Sequence, residues 1–79
     1  MDVCKQKFVY SKNELLRRFG FNPSKVEVFR YLEDSGKMLI DDKIFCNEDI
    51  IRRFGLSPFS ISNIRFNEGD DTISLFRRH

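Results

Sequence analysis

The apolar positions of this chain run through the same order twice. Leu15-Leu16-Arg17-Arg18-Phe19-Gly20-Phe21-Asn22-Pro23 returns 35 positions later as Ile50-Ile51-Arg52-Arg53-Phe54-Gly55-Leu56-Ser57-Pro58. The register holds further on, where Val26 matches Ile61, Phe29 matches Ile64, Tyr31 matches Phe66, Met38 matches Ile73 and Ile40 matches Leu75. One supersecondary unit has been duplicated, and a single copy is too short to bury its own apolar face, so the copies must share a core.

Within each copy the pattern predicts elements. Lys5 to Tyr10 reads as a short strand with Phe8 and Tyr10 on one face. Ser11-Lys12-Asn13-Glu14 reads as a capping box opening a helix, whose apolar stripe is Leu15, Leu16 and Phe19. Gly20 ends that helix in the left-handed conformation with Phe21 folding back, and Asn22-Pro23 opens a second helix. The stretch Val26 to Tyr31 has strong strand propensity. The repeat argues the other way, because positions 26 and 29, apolar in both copies, share a face only in a helix. A helix is therefore expected over 24–33 and again over 59–67. Asp34-Ser35-Gly36 stops the first. Strands follow at Lys37 to Ile40 and Lys43 to Cys46 around an Asp41-Asp42 turn, then a third helix capped by Asn47, and a last strand at Thr72 to Phe76.

The expected fold is α+β and mainly helical, with two pseudo-symmetric β-α-α-β repeats, about 7–41 and 42–77, sharing one core in a single domain 1–79. Nine Phe and two Tyr supply the buried area. The aromatics are read as core before anything else, since a domain this small needs them there. The formal net charge is +2, which permits nucleic-acid binding without requiring it. Cys4 and Cys46 lack metal or redox spacing and are expected as reduced, partly buried thiols. No apolar run approaches a membrane span and no leader pattern is present, so a cytoplasmic or nucleoid-associated chain is expected, with no membrane contact.

The glycine-centred spacing resembles the helix-turn-helix family. With Gly36-Lys37-Met38-Leu39-Ile40 trailing it, the unit resembles the winged variety of MerR-type regulators and phage excisionases, over residues 9–40 and again 44–76. That resemblance implies a recognition helix entering the major groove by its N-terminal residues. In the first copy these are Ser24 and Lys25, followed by Glu27 and Val28. In the second they are Phe59, Ser60, Ser62 and Asn63, and the Asn63 amide suits adenine. Arg17 and Arg52, on the outward side of the preceding helix, would meet phosphates, and Lys37, Lys43, Arg77 and Arg78 would be wing or tail contacts. Each residue also has a plainer reading, since paired arginines in a last helical turn complement the helix dipole. Serine and asparagine on a surface are ordinary.

The copies differ at one place. Val28, Leu32 and Leu39 stand where the second copy has Asn63, Asn67 and Ser74. This predicts either an exposed patch for a protein partner or a surface covered by Val3 and Phe8. No acid pair, Cys/His set, phosphate loop or metal spacing argues for an enzyme, a cofactor or a metal. The expected function is a small non-enzymatic regulator or excisionase-type protein that binds duplex DNA. The alternative is a protein-binding modulator that uses the same scaffold against a host complex. A chain of this length has a radius of gyration near ~12 Å. Recognition helices in successive grooves stand about 34 Å apart, so longer sites would need homo-oligomers.

Overall fold

The computed structural model describes residues 7–78. The elements are β1 (Lys7–Ser11), α1 (Lys12–Arg18), β2 (Phe29–Leu32), β3 (Lys37–Ile40), β4 (Lys43–Cys46), α2 (Asn47–Arg53), β5 (Ile61–Asn67) and β6 (Thr72–Arg77), with short 3₁₀ turns at Pro23–Lys25 and Pro58–Ser60. Over the described residues the fold is α+β with two seven-residue α-helices and two antiparallel three-stranded sheets. It is not mainly helical, and the two helix-turn-helix units expected from the sequence do not exist.

The overturned elements are the ones that follow Pro23 and Pro58. Their start signals act as read. The Asn22 side chain accepts the Ser24 N–H, the Ser57 hydroxyl accepts the Phe59 N–H, and each proline takes the first position of its turn. After one 3₁₀ turn the chain extends instead of coiling, because β-branched and aromatic side chains gain more on a pleated surface than in a helix. The periodicity misled for a specific reason. A β-bulge lies between Ile61 and Asn63. The extra residue shifts the alternation by one, so Ile61 and Ile64, three apart, both face the core at 4% and 1% exposure.

The sheets are built by exchange. β2 and β3 form a hairpin whose third strand is β4, and β5 and β6 form a hairpin whose third strand is β1. Applying the repeat offset turns β1 into β4, β2 into β5 and β3 into β6, so each half lends its first strand to the other half's hairpin. Tyr10 pairs with Ile73, and Phe45 with Met38. The halves are therefore interlocked. The core draws Leu15, Leu16, Phe19, Met38 and Ile40 from the first half and Ile50, Ile51, Phe54, Ile61, Ile64, Ile73 and Leu75 from the second.

The helices are as short as their punctuation requires. The Ser11 hydroxyl caps the Glu14 N–H at 3.1 Å. Glu14 does not complete the expected box, because its carboxylate pairs with Arg18 at 3.1 Å. Gly20 and Gly55, at φ +84° and +75°, end α1 and α2, and the chain turns back as the Phe21 and Leu56 N–H groups bond the Leu16 and Ile51 carbonyls. The third predicted cap is displaced by one residue. Cys46 is the N-cap of α2, its N–H donating to Asp49, while Asn47 turns inward and accepts the Tyr31 hydroxyl at 2.7 Å. The hydroxyl of Tyr31 is held above the ordinary tyrosine value near 10, chiefly by burial, with the Glu33 charge adding to the rise. Cys46 is exposed rather than partly buried, and Cys4 lies outside the described residues. The radius of gyration is 12.6 Å.

Candidate functional site

The two halves meet where α1 and α2 end. Arg18 donates through Nη1 to the Arg53 carbonyl at 3.5 Å, and Arg53 donates through Nη1 to the Arg18 carbonyl at 3.3 Å. Those carbonyls belong to last helical turns, where backbone acceptors are unsatisfied and the dipole favours cations. Each guanidinium also lies over an aromatic ring of the opposite half, Arg18 over Phe54 at 5.4 Å and Arg53 over Phe19 at 4.9 Å. The same rings hold the exchanged strands. Tyr10 of β1 stacks on Phe54 with centroids 3.9 Å apart, and Phe45 of β4 meets Phe19 at 4.6 Å.

Arg17 and Arg52 sit one residue earlier, on the outward side of the same two turns, and both are exposed. Among the described residues neither has an ion-pair partner; of the four arginines only Arg18 has one, Glu14. Two helix ends thus present Arg17, Arg18, Arg52 and Arg53 around a pseudo-two-fold axis. Arg17 and Arg52 were expected as phosphate contacts from the sequence, whereas Arg18 and Arg53 were not, although the repeated Arg-Arg pair held the signal for both.

The remaining predicted positions scatter. Ser24 and Lys25 lie in the first 3₁₀ turn, and the Ser24 hydroxyl is spent on Asn22 at 2.9 Å. In the second turn the Ser60 hydroxyl donates to the Ser57 carbonyl at 2.8 Å. Ser62 and Asn63 are exposed on β5, not on a helix, so no recognition helix presents any of these residues. Lys37 opens β3 and Lys43 opens β4, which places them on sheet strands rather than on a wing. Arg77 lies over Phe8 at 6.0 Å, and Arg78 donates to the Phe59 and Ile61 carbonyls, which makes it a latch on the second turn instead of a free tail. Ser62, Asn63 and Arg78 do meet along a shallow groove of about 230 Å³ beside Phe59, which is 87% exposed.

Among the described residues no cluster of His, Cys, Asp and Glu could hold a metal ion, and no helix is long and apolar enough to cross a membrane. No family model, curated protein or solved structure matches this chain.

Proposed function

We propose that this chain is a small non-enzymatic protein that binds duplex DNA by its phosphate backbone, through Arg17, Arg18, Arg52 and Arg53 and without a recognition helix. The supporting observation is that two equivalent helix ends, joined by the reciprocal Arg18–Arg53 contacts, carry two arginines each in their last turns. Arginine offers a planar fork of donors that suits phosphate oxygens. Arg18 and Arg53 are held by carbonyls and rings and so lose little freedom on contact, while Arg17 and Arg52 have no ion-pair partner among the described residues. A two-fold set of cations also suits a duplex, whose strands are related by local dyads, as two-fold proteins match palindromic sites. The modest net charge fits this reading because the positive charge is concentrated rather than abundant. Such contacts position the protein and read no sequence by themselves.

The experiment is fluorescence anisotropy of the full chain with a 20-bp duplex across a salt series. Four phosphate contacts give a slope of log K against log salt of about −4. Removing two of them with R17A/R52A flattens the slope by about 2. The reading fails if the chain does not bind the duplex, or if this double variant binds with an unchanged slope.

A further inference from the structure

The outer face of the β2–β3–β4 sheet is uncovered among the described residues, and the strand register places its side chains in rows. Arg30, Leu39 and Ile44 form one row, and Leu32, Lys37 and Cys46 form the next. Val28 precedes β2 on the same alternation, beside Asp41, whose N–H its carbonyl accepts. Val28, Leu32 and Ile44 are 40%, 44% and 66% exposed, and Leu39 is half-buried. The opposite face of the same strands points Met38 and Ile40 into the core. Phe8 packs on the core from β1 in the other sheet and gives no cover here, while Val3 lies outside the described residues.

The other half supplies an internal control. The corresponding face of the β1–β6–β5 sheet carries Val9, Ser74 and Arg65 in one row and Ser11, Thr72 and Asn67 in the next, with Asn63 in place of Val28. The same scaffold therefore folds with polar residues at these places, and the apolar set Val28, Leu32 and Leu39 answers no demand of the fold. The cations differ too. Arg65 is paired with Glu33 at 3.2 Å, whereas Arg30 and Lys37 have no ion-pair partner among the described residues. An apolar face interleaved with cations that have no ion-pair partner among the described residues marks a contact surface.

We propose that this face docks an acidic amphipathic α-helix of a partner protein. Three strands spaced about 4.8 Å apart make a platform roughly 10 Å wide, the diameter of one helix. Arg30 and Lys37 are diagonal neighbours at roughly 7 Å, close to the separation of side chains four apart on a helix. An occupant that satisfies both features has Leu-like residues on one stripe and carboxylates beside it. Duplex DNA would meet the two cations but would bury the four apolar groups against sugar and phosphate. This inference does not depend on the duplex-binding proposal.

The test uses the ¹⁵N-labelled full chain and two synthetic helical peptides with the same leucine spacing, one flanked by Glu and one by Lys. The Glu peptide shifts the amide resonances of residues 28–46 and binds at least tenfold more tightly than the Lys peptide. L32N/L39S transplants the other half's residues and lowers Glu-peptide affinity at least tenfold while duplex affinity is unchanged. R30E, at an exposed site, reverses the peptide preference and serves if the double variant does not fold. The proposal is overturned by shifts that are absent or lie elsewhere, by equal affinity for the two peptides, or by variants without effect. It is equally overturned if this face proves to pair with a second copy of the chain in sedimentation, or binds only vesicles containing phosphatidylglycerol.

Discussion

Arg18 and Arg53, equivalent residues of the two repeats, each donate a side-chain N–H to the other's backbone carbonyl. The side chain of Arg18 remains 45% exposed. Each bond is therefore worth about 1 kcal/mol or less, and R18A or R53A alone should cost about that much in urea unfolding. Both bonds close one contact between helix ends, so losing the first loosens the second. R18A/R53A should cost less than the two single changes together by about 0.5 kcal/mol or more. Strict additivity would show that the bonds are independent surface contacts.

Phe54 is 7% exposed, stacks on Tyr10 and lies beneath Arg18. Phe54→Ala should destabilise the chain by roughly 3–5 kcal/mol, and β1 should lose protection in hydrogen exchange before the β2–β3 hairpin does. The stack is the point at which the exchanged strand is fastened. If β1 and β2–β3 open together in the variant, this local role is disproved.

Gly20 and Gly36 both have positive φ, at +84° and +66°, yet their surroundings differ. A methyl group at Gly20 meets nothing within 4 Å, whereas at Gly36 it comes within 3.0 Å of Asn47 Nδ2, on the side chain that holds Tyr31. Gly20→Ala should cost about 1–2 kcal/mol of backbone strain. Gly36→Ala should cost about 1 kcal/mol more through the disturbed hydrogen bond. Equal melting-temperature losses would contradict this.

Tyr31 keeps its proton more tightly in the folded chain than in the unfolded one, since its hydroxyl is raised above 10. The stabilisation linked to that proton is complete below pH 10 and is lost as pH rises through the folded value. Tyr31→Phe should lower stability at neutral pH by about 1 kcal/mol and should flatten the decline above pH 10. Denaturant titrations at pH 8 to 11 check both, and an equally steep decline in the variant would assign the alkaline loss to other groups.

Strand exchange also fixes how the chain can be divided. Peptides 1–41 and 42–79 each lack the third strand of their own hairpin and half of the core, so neither should fold at micromolar concentration in circular dichroism. An equimolar mixture should recover the strand signal. A half that folds unaided would show that the shared core is not required.

The sequence by itself determined the duplication, the single shared core and the punctuation of each unit. It also set the start of α1 and the glycine ends of both helices, because a capping hydroxyl, a glycine and an Asn-Pro or Ser-Pro turn act on their own neighbours, whereas the start of α2 fell to Cys46 instead of Asn47. It placed Arg17 and Arg52 outward for the same local reason, and it marked Val28, Leu32 and Leu39 as different from their counterparts. Tertiary structure decided the rest. Residues after Pro23 and Pro58 became strands because a hairpin partner was there to pair them, and a bulge at Ile61 gave a strand the spacing of a helix. That Arg18 meets Arg53, and that β1 belongs to the sheet of β6, follows from contacts between residues far apart in sequence. No run of adjacent side chains encodes such contacts, because they arise only when two half-units fail to bury themselves alone and close over each other.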